Sequence, residues 1–138
     1  MPKSDIYHDV VKNALIKDGW VITHDPLTLS VGRRDIYVDI GAEQPIAAEK
    51  EGRKIAVEVK SFIGISPVHD LEQAIGQYSL YRIILAQDEP QRRLYLAITE
   101  RTYEGIFSEP LGQAVLAEGR MHVMVFNPSQ EVVVTWIE

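Results

Sequence analysis

Between Ile55 and Lys60 apolar and polar positions alternate: Ile55, Val57 and Val59 are separated by Ala56, Glu58 and Lys60. A period of two predicts a strand, on which residues two apart share a face. Glu58 and Lys60 are therefore neighbours beside the small Ala56. Asp35 to Ile40 alternates as well, with Ile36, Val38 and Ile40 on one face and Asp35, Tyr37 and Asp39 on the other. Asp39 ends this predicted strand. Pro45 to Lys50, then Glu51-Gly52, leads back into the Glu58 strand as a hairpin. After a loop over Ser61 to Ile65 the period changes. Val68, Leu71, Ile75, Tyr78 and Leu85 recur at helical spacing. Ser66 as N-cap and Pro67 at the first helical position start this helix, which runs from about Ser66 to Gln87.

The remaining chain reads in the same way. Ser4 to Asp18 predicts a first helix, capped by Ser4, with Ile6, Val10, Ala14 and Leu15 as its apolar stripe and Gly19 as its stop. Trp20 to Thr23 is a short strand, His24-Asp25-Pro26 a turn, and Leu27, Leu29 and Val31 mark an extended segment before Gly32. Asp88-Glu89-Pro90 breaks the chain, and Leu94 to Ile98 is a near-continuous apolar run, the pattern of a buried sheet centre. Tyr103 to Phe107 and Leu111 to Glu118 read as helical, separated by Pro110. Met121 to Phe126 and Val132 to Ile137 are strands around an Asn127-Pro128-Ser129 turn. The predicted architecture is one α/β domain over residues 1–138 with a mixed central sheet and an αβββαβ core. The Glu58 strand, the second helix and the Leu94 strand form a βαβ crossover.

Composition narrows the function. With 138 residues the chain is long enough for a real core, and 46% hydrophobic with 25% charged is the balance of a folded globule. No apolar run reaches membrane-spanning length, Met1-Pro2-Lys3-Ser4-Asp5 shows no signal-peptide pattern, and a cytoplasmic protein is expected. The absence of cysteine excludes disulfides and thiolate zinc sites. A net charge of −6 argues against a protein that coats nucleic acid non-specifically. Arg33, Arg34, Lys50, Arg53, Lys54, Arg92 and Arg93 lie near the Asp39 and Glu58 strands in sequence, and most read as solubilising surface. Arg33, Arg34 and Lys60 flank those strands directly and are the nucleic-acid-binding candidates.

The candidate chemistry follows from the strand ends. Asp39 and Glu58 can hold a divalent cation, Mg²⁺ or Mn²⁺, with the backbone carbonyl of Val59 as a further ligand. Lys60 can orient a water or stabilise a developing anion. Gln77 and Tyr81 are four apart and share a helix face. The order Asp39, Glu58-x-Lys60, Gln77-x-x-x-Tyr81 resembles the PD-(D/E)XK nuclease superfamily, one branch of which carries Q-x-x-x-Y directly after its Glu-x-Lys strand. That resemblance implies a restriction-endonuclease-like three-layer fold and places Gln77 and Tyr81 against the substrate. Some nucleases of this fold take an acid from the first helix, which adds His8 and Asp9 as candidates, although a polar helix face is the plainer reading of both. Glu43 is a minor candidate that lies near Lys60 if the hairpin turns at Glu51-Gly52, and Glu49 reads as surface. His24, His69 and His122 show no metal-ligand spacing.

Longer phrases carry a closer resemblance. Lys17-Asp18-Gly19-Trp20, Asp25-Pro26-Leu27, Gly41-Ala42-Glu43, Ala47-Ala48-Glu49-Lys50, Ile55 to Phe62, Gly76-Gln77-Tyr78 and Leu94-Tyr95-Leu96-Ala97 together resemble the fdxN element excision controlling factor family, XisH, over nearly the whole chain. That family is known mainly from cyanobacteria. The resemblance implies a part in programmed excision of a DNA element, where a separate recombinase cuts and rejoins, alongside a companion protein, XisI. Ile40 stands where the family phrase usually has leucine, which leaves the acid in place. A XisI-like partner or a homodimer is expected, and the valine-rich Val132-Val133-Val134 offers a strand edge for it. Two functional readings stay open: a metal-dependent endonuclease, and a DNA- or protein-binding accessory to the recombinase that does not cleave. A third is one half of a toxin–antitoxin module.

Overall fold

A computed structural model describes residues 5–46, 49–118 and 120–138, and the side chains of all of these except 46 and 49–51. Helix α1 (His8–Lys17) is followed by β1 (Val21–His24), β2 (Leu27–Val31), β3 (Arg34–Val38), β4 (Ile40–Ile46) and β5 (Glu49–Val59). Helix α2 (Pro67–Asp88) leads to β6 (Arg92–Thr99), a short α3 (Glu100–Glu104), a single 3-10 turn over Ile106–Ser108 and α4 (Pro110–Glu118). Strands β7 (Val123–Asn127) and β8 (Val132–Ile137) close the chain. The large sheet has the order β1-β4-β5-β6-β7-β8, while β2 and β3 form a separate hairpin. Strands β5, β6 and β7 run parallel, and the flanking pairs are antiparallel. The sheet is mixed, as the sequence predicts, and α2 supplies the βαβ crossover.

Apolar side chains on both faces of the sheet build two cores. Val11 and Leu15 of α1 pack on Ile40, Ile55, Val57, Tyr95, Ala97 and Phe126. On the other face α2, the β2–β3 hairpin and the 3-10 segment cover Ala56, Leu94, Leu96, Ile98 and Val125. Helices on each side of one sheet make the three-layer α/β fold. Helix α2 starts as expected: the Ser66 hydroxyl accepts from the His69 amide at 3.2 Å, with Pro67 in the first turn.

Several elements differ from expectation. Helix α1 begins at His8, and Ser4, the expected cap, lies outside the described residues. No side chain among the described residues caps α1; the N-cap position is Tyr7, and the Asp5 carboxylate accepts from the Tyr7 amide at 3.0 Å just ahead of the helix. The buried stripe is His8, Val11, Ala14 and Leu15, and Ile6, which precedes the helix, is 65% exposed. The β4–β5 hairpin does not turn at Glu51-Gly52. Ile46 already pairs with Glu49, and residues 47–48 between them lie outside the described residues. Gly52 instead sits in a bulge at φ +67°, where a Cβ would lie 2.5 Å from the Gln44 carbonyl oxygen. Ile36, Val38 and Ile40 do not share one face, because Val38 and Ile40 belong to opposite cores. Tyr103 to Phe107 is not one helix: the Thr99 hydroxyl accepts from the Thr102 amide at 3.1 Å, which starts α3 earlier and ends it at Glu104. Arg92 is not surface. Its guanidinium is buried, donating to the Ile55 carbonyl at 2.9 Å and to Glu89. The expectations for Lys50 and Glu49 fall on side chains outside the described set.

Candidate active site

Glu58 comes from β5, on the face it shares with Ala56 and turned toward α2. Only 7% of it is exposed. Asp39 sits at the seam where the backbone leaves the hairpin and joins the large sheet. Its Oδ2 accepts from the Val59 amide at 2.8 Å, and its own amide donates to Glu58 Oε1 at 3.3 Å. Each carboxylate is thus held by a backbone amide of the other's segment, and each influences the other's protonation. Burial pushes the Glu58 carboxyl up to about 9, and the Asp39 charge adds to the shift. Burial likewise raises Asp39. Two anions cannot be buried side by side without compensation, so near neutral pH the pair retains a proton.

A cation would relieve the same repulsion between the two carboxyl groups. The donors present, two carboxylates at a strand end, fit a hard dication that keeps several waters. Among the described residues no third Asp, Glu or His joins them in a cluster able to hold a metal ion. Backbone oxygen, such as that of Val59, and water would complete the shell.

Lys60 follows β5, and its amide extends the pairing with β6 by donating to the Ala97 carbonyl at 3.1 Å. It is half-buried, and its Nζ donates to Gln73 Oε1 at 3.0 Å. Tyr81 is buried on α2, and its phenol is pushed up to about 12 by burial, then by the charges of Glu58 and Asp39. It therefore stays protonated, a hydroxyl beside an acidic pair. Gln73, Gln77 and Tyr81 follow one another at four-residue spacing along one stripe of α2. Gln77 lies between the other two, but it is exposed and is not bonded into the acid pair.

The other candidates separate. Glu43 stands opposite Lys54 in the β4–β5 register and pairs with it at 3.9 Å, so it belongs to the far part of the hairpin and not to Lys60. The cause is the earlier hairpin turn. Asp9 is exposed and lies by Lys12. His8 is 8% exposed, which overturns the plainer reading of a polar helix face. Its Nε2 is 2.6 Å from Asp25 Oδ1, and Lys12 Nζ is 2.7 Å from Asp25 Oδ2. Burial opposes ionisation of Asp25, but the Lys12 and His8 hydrogen bonds outweigh it and hold that carboxyl below its ordinary value. Leu27 pairs with Val38 and His24 with Gly41, which brings the Asp25-Pro26 corner opposite Asp39. Arg33 and Arg34 are exposed at the hairpin tip, where Gly32 at φ +60° makes the turn. At about 3.3 Å per residue, Arg34 is roughly 13 Å along the strand from Val38. The arginines stand apart from the acids.

Two residues escaped the sequence reading. Gln73 holds the Lys60 ammonium, and its signal was the four-residue spacing one turn before Gln77. Asp5 accepts from the Ser61 amide at 3.0 Å, and its charge raises both Asp39 and Glu58. Nothing local marks an acid ahead of a helix as part of a site built 34 to 53 residues later.

A family model described as XisH protein matches residues 1–134. Two crystal structures resemble the chain along its length. One is an XisH family protein from Nostoc punctiforme, 42% identical, with a TM-score of 0.88, covering 97% of this chain and 100% of the other. The second is a fdxN element excision controlling factor protein from Anabaena variabilis, 42% identical, with a TM-score of 0.87, covering 98% and 100%. No curated protein matches the chain.

Proposed function

We propose that this protein, which belongs to the XisH family, serves in the controlled excision of a DNA element and cleaves phosphodiester bonds at the Asp39–Glu58–Lys60 centre. One observation carries the reading: a buried Glu58 carboxyl and a half-buried Asp39 carboxyl locked across a seam, with a half-buried ammonium two residues on from Glu58. A bound Mg²⁺ or Mn²⁺ would polarise the scissile phosphate and make a water acidic. The chain's own residues do the rest. Asp39 and Glu58 fix the position of that charge, because the Val59 and Asp39 amides tie them down. Gln73 aims the Lys60 ammonium, which neutralises charge that develops on the phosphate. The Tyr81 hydroxyl, kept protonated by burial and by the charges of Glu58 and Asp39, is a neutral neighbour of the acids, and the exposed Gln77 amide is open to a substrate strand.

Cleavage of single- and double-stranded DNA in Mn²⁺, compared with EDTA and with Glu58→Ala, tests the reading. Metal-dependent cleavage lost in the variant is the expected result. A second reading, DNA or protein binding without cleavage, is favoured by the arginine pair at the hairpin tip, away from the acids. It predicts no product under any of these conditions. Either reading includes a partner, a second copy or a XisI-like protein, for which the outermost strand β8 offers an edge.

A further inference from the structure

We infer that the cleft beside Lys60 holds one unstacked nucleobase of the substrate strand. The inference rests on the phosphodiesterase reading of the Asp39–Glu58 centre and says where the nucleotide next to the scissile phosphate goes. The cleft has a volume of about 470 Å³, and its lining includes Tyr7, Ser61, Phe62, Pro67, Arg101 and Thr102. Its floor begins at Ser61, the residue after Lys60, whose amide is bonded to Asp5. Ser61 lies three residues past Glu58 and two past Val59, whose amide holds Asp39, so the cleft opens where the strand carrying the acid pair ends.

The walls have the chemistry of a base pocket. Tyr7 and Phe62 offer aromatic surface, and both rings are buttressed from behind: Tyr7 edge-on against Phe126 at 5.8 Å, and Phe62 edge-on against Phe107 at 5.6 Å. Rigid aromatic walls suit stacking, which accepts every base because every base has a π-face. Arg101 is exposed and pairs with no carboxylate among the described residues, leaving its guanidinium free for a base plane or the adjoining phosphate. Ser61 and Thr102 place hydroxyl groups along the same lining. The loop that borders the cleft carries Ile63, which is part of the lining, and Ile65 beyond it, 65% and 105% exposed, apolar tips of the kind that wedge between base steps and unstack them. Phe62 itself is held at φ 54°, a conformation residues other than glycine seldom adopt.

The test separates binding from chemistry. In a Glu58→Gln background and EDTA, fluorescence anisotropy compares a labelled single-stranded thymidine dodecamer with an abasic dodecamer of identical phosphate count. The base-bearing strand is expected to bind about tenfold tighter, the range of one stacked base. Arg101→Ala and Phe62→Ala should bring the ratio toward one, while Arg93→Ala, at the start of β6, keeps it. Phe62 also packs in the core, so Arg101→Glu and Ile63→Ser, both exposed, repeat the test in proteins whose melting midpoint is unchanged. Equal binding of the two strands, or a preference that survives all the cleft variants, overturns the inference. Cleavage by the wild type in Mn²⁺ is scored separately: a base preference without cleavage retires the nuclease reading and keeps the pocket, and cleavage without the preference does the reverse.

Discussion

Glu58 is the residue whose environment speaks most directly. Its carboxyl is raised from 4.5 to about 9 by burial and by Asp39. A raised carboxyl favours the protonated form in the folded state, so stability is highest below the unfolded value. It falls as pH rises through the window between about 4.5 and about 9. In EDTA, the wild-type melting midpoint should fall across this window, and Glu58→Gln should flatten the fall. At pH 8 the variant should melt higher by about 4 °C or more, the shift that about 1 kcal/mol makes in a domain of this size. Millimolar Mn²⁺ should raise the wild type at that pH and leave Glu58→Gln nearly unmoved. Parallel pH curves for the two proteins would contradict the shared-proton account. Lys60 is the complementary case. Its half-exposed side chain packs little, so Lys60→Ala should change stability by within about 0.5 kcal/mol. Cleavage in Mn²⁺ should slow by a factor on the order of 100 or more, because the lost charge acts on the transition state. Activity within a few-fold of wild type would remove Lys60 from the chemistry.

At the scale of elements, α2 and the central strands were legible because their signals are local: a Ser-Pro start, a helical stripe, a two-residue period. What was not legible depends on contacts between distant segments. The β4–β5 turn was placed late because Gly52 reads like a turn residue, whereas it serves a bulge against the Gln44 carbonyl. That displacement is what separates Glu43 from Lys60. A prediction follows for this bulge. Gly52→Ala puts a Cβ 2.5 Å from that carbonyl oxygen at a positive φ, and should cost more than about 1 kcal/mol in chemical denaturation. A loss within experimental error would mean that the bulge yields freely. For the site, Asp39, Glu58 and Lys60 could be found from order and spacing alone. Asp5 and Gln73 could not, and His8, a candidate from its helix, could not be paired with Asp25, since these contacts arise only when α1, the Asp25-Pro26 corner and α2 are brought against the same strand ends. Gln77, singled out by spacing, is on the right stripe yet turned to solvent.

At the scale of the whole molecule, the large sheet ends in β8, whose Val134 is 47% exposed. An open edge of this kind invites a further strand. We predict a dimer or a complex with a XisI-like protein, and a Val134→Lys change should weaken it without unfolding the domain. Light scattering at high concentration reads the outcome; a monomer in both proteins with no co-purifying partner would sink the prediction. The other end of the molecule carries the β2–β3 hairpin, with Arg33 and Arg34 at its tip and Asp39 just past its base. Val38 is anchored in one core and Ile40 in the other. The hairpin is therefore no ornament that could be trimmed or exchanged at will. It is a lever whose fulcrum is a candidate site carboxylate, and on the proposed reading whatever grips the arginine tip would also tug on Asp39.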